Sequence, residues 1–362
     1  MKNIYIITRQ NINNYGSFLQ SYATQEILKE WNYSVKIINY IPKDENFFNI
    51  IRTRCLINNK RGIKKIFYTS FAYPLYCYSQ INFSILRNKY LNLTKKVVEN
   101  NIHKLNADIF LSGSDQIWGG IGTRKYDINY FLQFSNSENK IAYSSSFGHT
   151  NFESIDQRII SALKEYKMIG AREQSGVDFL KTIGIDSKLV LDPVFLFDKK
   201  FYLKKIIETK KMKKDYILVY QIHKNSSFDK YVCEISRKFE LPIFRIHNNP
   251  FQIIRPGKLK CTQNPFRFLG YLYNARYIIT DSFHCVSFSV IFNKQFVSIS
   301  PGETNTRIES LLNCLNIRER LIDFSDTETL SLPINYKKVN SRLDILKKDS
   351  VEFFKNELEL AK

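Results

Sequence analysis

Five short segments carry the residues able to do chemistry. One is Thr280-Asp281-Ser282-Phe283-His284-Cys285, which follows the apolar run Tyr277–Thr280 and precedes the apolar stretch Val286–Phe292. An imidazole on the first turn after a strand stands at the carboxyl edge of a sheet, where open parallel sheets bind their ligands. The helix N-terminus opposes its charged form, whereas Asp281 and an anionic ligand favour it. His284 is therefore a candidate general acid or base. A second segment, Ile169-Gly170-Ala171-Arg172-Glu173, puts a guanidinium where a strand meets a helix. Arg172 suits a bidentate clamp on a carboxylate or phosphate, or else a salt bridge to Glu173 or across domains.

Three further loops are rich in hydroxyls. Ser112-Gly113-Ser114-Asp115-Gln116-Ile117-Trp118 closes a buried run with a carboxylate and two hydroxyls. That set suits a sugar or a proton, and Ser114 or Asp115 serves equally to cap the next helix. Tyr143-Ser144-Ser145-Ser146-Phe147-Gly148-His149 offers three successive serines, which donate to an anion or sugar or satisfy nearby backbone. Asn13-Asn14-Tyr15-Gly16-Ser17 empties the first strand into a helix bearing Gln20, Ser21 and Gln25. Free N–H groups at such a start bind anions. Neither G-x-G-x-x-G nor G-x-x-x-x-G-K-[ST] is present, so the sequence supports neither a dinucleotide site nor a P-loop.

The elements that must position these loops alternate. Asn3–Thr8, Val35–Tyr40, Ile109–Ser112, Lys140–Ser145, Met168–Ala171 and Leu189–Leu191 read as strands. A second series follows at Tyr216–Ile222, Pro242–Ile246, Tyr277–Thr280 and Phe296–Ser300. Helical patterns occupy Phe18–Trp31, Ser226–Phe239, Pro265–Ala275, His284–Phe292 and Thr306–Leu315, with a long polar helix at Ser341–Leu360. Apolar strands alternating with helices predict parallel sheets covered on both faces. The expected fold is α/β, with two Rossmann-like domains facing each other across a cleft. The first spans 1–195, the second 196–340, and a C-terminal helix 341–362; the junction falls between Leu191-Asp192-Pro193 and Asp198-Lys199-Lys200. Eight of the 13 glycines lie between Gly113 and Gly184, which predicts tight turns or close backbone approach to a ligand there. Gly176 and Gly184 read as ordinary turns or helix ends.

With 362 residues, 44% hydrophobic and 24% charged, the chain is long enough for about two domains and is not of disordered or collagen-like composition. Lys plus Arg is 54 and Asp plus Glu is 34, giving a net charge of +20. That excess favours anionic partners, although a chain rich in Lys, Asn, Ile and Tyr also looks like compositional drift. The charge concentrates in an insert at about 46–98, which holds ten Lys or Arg residues, no Asp or Glu, and interleaved aromatics such as Phe47, Phe48, Phe71, Tyr78 and Phe83. Such a segment suits peripheral contact with an anionic membrane, a single-stranded nucleic acid, or a helical lid whose aromatics are core. No nucleic-acid recognition motif accompanies it. The six cysteines form no C-x-x-C and no histidine pair has metal spacing, so no metal site is expected. The cysteines suit reduced thiols in a cytoplasm. The N-terminal apolar run is too short for a signal peptide, and no stretch approaches the roughly 18 apolar residues of a membrane span.

Taken in order, these motifs resemble the polysaccharide pyruvyl transferase family. The matching pieces are Asn14-Tyr15-Gly16-Ser17-Phe18-Leu19-Gln20, Gly113-Ser114-Asp115-Gln116-Ile117-Trp118, Tyr143-Ser144-Ser145-Ser146-Phe147-Gly148, Arg172-Glu173, Leu191-Asp192-Pro193 and Thr280-Asp281-Ser282-Phe283-His284. Asn305-Thr306-Arg307-Ile308 also fits. The resemblance implies a fold similar to the GT-B glycosyltransferases and transfer of pyruvate from phosphoenolpyruvate to two hydroxyls of a sugar, forming a cyclic ketal. It implies His284 as the general acid, Asp281 as its orienter, and Arg172 as the group that holds the donor. Ser145 and Ser146 join the donor side. Gly16, Ser17, Gln20, Ser114, Asp115 and Gln116 would orient the acceptor, a surface-glycan precursor carried on lipid. Some family members carry Arg where this chain has Ser282, so Arg172, Arg307, Ser282 or backbone amides must supply the missing anion ligand. Cys285 replaces a glycine common in the family. The implied chemistry needs no redox cofactor and no obligatory metal, only phosphoenolpyruvate as donor. A nucleotide-sugar-dependent glycosyltransferase of like architecture is the alternative.

Overall fold

The computed structural model describes residues 1–46, 62–119, 126–153, 155–206, 215–223, 225–247, 250–262, 264–300 and 306–361. Part of the basic insert (Phe47, Phe48, Arg52, Arg54, Cys55, Lys60 and Arg61), together with Gly120, Gly122 and Asn305, lies outside the described residues.

Runs such as Ile109–Ser112 and Ile217–Tyr220 are apolar at nearly every position, so they are stable only with both faces covered. The first lobe accordingly holds a parallel sheet of β1 (Asn3–Ile7), β2 (Ser34–Ile37), β3 (Ile109–Ser112), β4 (Lys140–Ser145), β5 (Met168–Ala171) and β6 (Lys188–Leu189), in spatial order β2-β1-β3-β4-β5-β6. The second holds β7 (Ile217–Tyr220), β8 (Ile243–His247), β9 (Lys258–Cys261), β10 (Tyr277–Thr280), β11 (Gln295–Ile299) and β12 (Leu321–Ile322), also parallel, in order β12-β11-β10-β7-β8-β9. Two six-stranded parallel sheets flanked by helices give the expected α/β, GT-B-like class. The edge strands β9 and β12 escaped the sequence reading because one is polar and the other has two residues.

The first lobe's helices are α1 (Tyr15–Glu30), α2 (Ile63–Tyr90), α3 (Gln157–Lys164) and α4 (Gln174–Thr182). They are followed by α5 (Lys199–Leu203), α6 (Ser226–Phe239), α7 (Pro265–Asn274), α8 (Phe283–Ile291), α9 (Thr306–Cys314) and α10 (Tyr336–Leu360). Helix α1 starts three residues earlier than its apolar pattern because Asn14 caps it, accepting from the Gly16 and Ser17 amides at 2.8 and 3.2 Å. This pulls Gly16 and Ser17 onto the first helical turn, at the cleft.

One apolar core runs through both lobes. Tyr15 of α1 stacks on Phe268 of α7 at 4.7 Å, and Tyr22 meets Phe266 edge-on at 5.5 Å. The segment after β6, expected as a junction, is buried as well: Pro193, Val194, Phe195 and Leu196 form a short 3₁₀ turn inside that core. Helix α10 crosses back from the second lobe, stacking Phe354 on Tyr143 of β4 at 4.0 Å. In the insert, Phe83 of α2 is fully buried against Tyr15 and Phe18, whereas Tyr78, Ile81 and Ile85 face outward.

Candidate active site

The side chains that meet at the cleft sit at carboxyl ends of parallel strands or on the helices that follow. From the first lobe come Ser17 on α1, Ser114 and Asp115 after β3, Arg172 after β5 and Asp192 after β6. From the second come His223 after β7, Asp281 and Ser282 after β10, His284 on the first turn of α8, and Arg307 on α9.

Asp192 is the hub. Its Oδ2 accepts from Ser114 Oγ at 2.8 Å and from Arg172 Nη1 at 2.9 Å, and it lies 3.5 Å from His284 Nε2, at ion-pair distance. Its Oδ1 accepts from the Val194 amide at 3.1 Å. Burial pushes this carboxyl up, but His284 and Arg172 outweigh it and hold the group well below the usual carboxylate range. Asp115 is the second buried carboxylate. It accepts from Ser17 Oγ and the Gln116 amide, and its Oδ1 lies 3.7 Å from Arg172. Burial again pushes up, and Arg172, His284, Ser17 and Arg9 together bring it down to about 2. Asp115 holds φ at 89°, an uncommon value for a residue with a side chain.

The His284 ring has a fixed seat. A Cβ on Gly16 would stand 2.1 Å from His284 Nδ1, so only glycine leaves room for the imidazole at the start of α1. Gly148, with φ at 71°, makes room in the same way for the Gln116 side chain.

Several guanidinium N–H groups here are left unmet. Arg9 Nε, Arg307 Nε, and Nε and Nη2 of Arg172 are buried without a hydrogen bond. Burial and the neighbouring Arg172 lower Arg307 to about 10 despite Glu173, Asp115 and Asp192 nearby. A cleft cavity of about 120 Å³ is walled by Arg9, Ser17 and Asp115 from the first lobe and by His223, His284 and Arg307 from the second. Unmet N–H donors around an enclosed space suit an anion.

Several expectations need correction. Asp281 does not orient His284. Strand β10 lies beside β7, so the Asp281 carboxylate falls on the β7 loop and accepts the Ile222 and His223 amides at 2.7 and 2.9 Å. The carboxylate beside His284 is Asp192. Arg172 pairs with Asp192 and Asp115 rather than with Glu173, which accepts the Phe147 and Gly148 amides instead. Arg172 also lies against the Phe283 ring and stands behind the hub, so the guanidinium walling the cavity from the second lobe is that of Arg307. Gln20 is turned inward, donating to Thr8, Ser17 and Ser21. Ser145 donates to the Ser112 and Gly113 carbonyls, and Ser146 is fully buried, so neither reaches the cavity. Ser282 caps α8, accepting from the Cys285 amide at 3.4 Å, and lines the cavity. Gln116 lines it too, with Nε2 3.4 Å from the Gly148 carbonyl. The sequence reading missed Asp192 as a site residue, taking its Leu-Asp-Pro run for a linker, and missed Arg9 and His223. Their signal was position alone: each lies just beyond the carboxyl end of a strand.

The model of the polysaccharide pyruvyl transferase family matches residues 14–303. The chain belongs to the polysaccharide pyruvyl transferase family. The matched range spans both lobes and contains Ser17, Asp115, Arg172, Asp192, His223 and His284. Among solved structures, S. aureus MnaA with UDP is similar at a TM-score of 0.50 and 11% identity, covering 99% of this chain and 98% of that one. UDP-GlcNAc 2-epimerase from Neisseria meningitidis bound to UDP-GlcNAc gives 0.49 at 12% identity, covering 97% and 99%. The E. coli heptosyltransferase WaaC with ADP-2-deoxy-2-fluoro heptose gives 0.37 at 8%, covering 82% and 90%. The likeness to MnaA is one of fold. No curated protein matches the chain. Among the described residues no helix is long and apolar enough to cross a membrane.

Proposed function

We propose that this pyruvyl transferase family member moves the pyruvyl group of phosphoenolpyruvate onto two hydroxyls of a sugar in a surface-polysaccharide precursor, forming a cyclic ketal and releasing phosphate. The observation that carries the reading is the meeting of the His284 imidazole and the Arg172 guanidinium on one oxygen of Asp192, beside a cavity with unmet cationic donors.

The residues divide the work as follows. Unpaired N–H groups of Arg307 and Arg9, which wall the cavity, take the donor's phosphate and carboxylate in place of an arginine at Ser282, while Arg172 holds Asp192 from behind. His284, seated beside the Asp192 carboxylate, gives its proton to the methylene carbon. The adjacent carbon becomes oxocarbenium-like, and one sugar hydroxyl adds to it. The C–O bond to phosphate then breaks, and the second hydroxyl closes the ring. Of the two hydroxyl protons, one is balanced by the new methyl hydrogen and the other leaves with phosphate. No electron pair is gained or lost, so the reaction needs no redox cofactor, and proton transfer with cationic stabilisation is sufficient without a metal. Ser17, Asp115 and Gln116 face the cavity where the acceptor would lie.

The acceptor is carried on lipid in this reading, and the outer face of α2 supports that. Ile66, Tyr78, Ile81 and Ile85 are exposed along one helix within an insert that has no acidic residue. An apolar stripe in a basic setting suits the anionic inner face of a cytoplasmic membrane. Co-sedimentation with phosphatidylglycerol vesicles, abolished by Ile81→Glu with Ile85→Glu, is the expected result; equal recovery of wild type and variant from vesicles rejects this docking face.

The function itself is tested by incubating the purified protein with phosphoenolpyruvate and a panel of acceptor sugars. Acceptor-dependent phosphate release with a pyruvylated product is expected. Tight binding of nucleoside diphosphates by titration calorimetry, with no phosphate release across the panel, would favour the glycosyltransferase alternative.

A further inference from the structure

The reaction above delivers one proton and must remove others, and His284 answers only for delivery. We propose that His223, oriented by Asp281, is the base that takes the proton from the attacking acceptor hydroxyl. This assignment rests on the pyruvyl-transfer reading and deepens it.

The geometry is that of an oriented imidazole. His223 Nδ1 lies 3.1 Å from Asp281 Oδ2. A carboxylate can only accept there, so Nδ1 carries the hydrogen, and Nε2 is the nitrogen whose lone pair the neutral ring offers as a base. Asp281 is nearly fully buried and also accepts the Ile222 and His223 amides, which fixes the loop that bears the ring. Gln221 Nε2 holds the other side of the loop through the His223 carbonyl at 2.7 Å, and Gln221 is itself bound by Arg245 and Arg255. His223 walls the same cavity as His284, yet its side chain is 49% exposed. A base in that position can take a hydroxyl proton inside the cleft and pass it to water at the mouth. In the step assigned to it, the acceptor O–H bond breaks, its proton goes to Nε2, and its oxygen forms the bond to the donor's electrophilic carbon. His223 then returns to neutrality by releasing the proton to solvent, ready for the second hydroxyl.

The test uses the full chain, phosphoenolpyruvate and whichever acceptor the wild type accepts. His223→Ala is expected to lower turnover by about 10² to 10⁴, with phosphoenolpyruvate affinity by titration calorimetry within threefold of wild type. Free imidazole in the assay should restore part of the lost rate in His223→Ala. Asp281→Asn should lower turnover without responding to imidazole, because the ring is present but misdirected. Wild-type turnover from His223→Ala, loss of phosphoenolpyruvate binding in step with turnover, or lack of rescue overturns the assignment while leaving pyruvyl transfer intact. A wild-type protein that transfers no pyruvyl group overturns the reading on which it rests.

Discussion

His284 and Asp192 come from opposite lobes, yet Nε2 of the one stands 3.5 Å from Oδ2 of the other, with Arg172 Nη1 on the same oxygen at 2.9 Å. The site is thus closed electrostatically across the cleft: a buried carboxylate from the first sheet holds an imidazole from the second. Replacing it with an amide should leave Arg172 buried without its main counter-charge, a loss that costs about 3–5 kcal/mol for pairs of this kind. Asp192→Asn is expected to unfold at clearly lower denaturant and to lose turnover. A variant with unchanged stability and turnover would show that Asp192 is not the hub.

Gly16 and His284 form a second cross-lobe contact, one of shape rather than charge. Gly16→Ala should displace the ring from its seat and cost about 10² in rate, the effect of a misplacement of roughly 1 Å. The informative version is a double-mutant cycle with His284→Ala. If Gly16 acts through the imidazole, adding Gly16→Ala to His284→Ala should change nothing further. Additive losses would mean that Gly16 serves something else.

Arg307 should show itself in donor affinity. Its Nε has no hydrogen bond, and burial beside Arg172 lowers it to about 10. A dianion entering the cavity relieves that repulsion. Arg307→Gln is expected to raise KM for phosphoenolpyruvate by at least tenfold, the equivalent of about 1.4 kcal/mol of lost charged hydrogen bonding, with acceptor KM nearly unchanged. An effect confined to acceptor KM would move Arg307 to the other substrate.

Glu357 on α10 lies against the Gly170 backbone, fully buried with neither carboxyl oxygen hydrogen-bonded. Burial raises it well above the ordinary carboxyl value. Its contribution to stability is therefore complete below the unfolded value of about 4.3 and declines as pH rises, because the unfolded chain gains by ionising it. Glu357→Gln should have its smallest effect near about pH 4 and grow more stabilising by about pH 8, read as the difference in thermal midpoint. A pH-independent difference would mean that Glu357 ionises in the folded protein as readily as in the unfolded one.

The fold was legible because its central strands include short, largely apolar runs of four residues, as in β3 and β7, and only a covered parallel sheet accommodates them. His284, Arg172, Ser17 and Asp115 were legible for a related reason, since each stands beyond a strand's carboxyl end. Pairings were not legible, because they depend on strand order rather than on sequence neighbours. Asp281 is three residues from His284 in the chain but beside β7 in the sheet, so it serves His223. Asp192 is 92 residues from His284 and meets it only because the lobes face each other. Ser145 and Gln20 looked available as polar residues near strand ends, yet their neighbours' carbonyl and hydroxyl groups claim their hydrogens.

Proton delivery to carbon is the claim on which the rest depends, and it leaves an isotopic mark. Wild-type protein, phosphoenolpyruvate and an accepted sugar are combined in deuterium oxide, and the product is analysed by mass spectrometry and proton NMR. The account predicts one deuterium in the ketal methyl group, one phosphate released per ketal formed, and loss of both signals by a factor of about 10² to 10⁴ in His284→Ala. Deuterium-labelled ketal formed at the wild-type rate by His284→Ala, or phosphate released with no methyl label in the product, would contradict it.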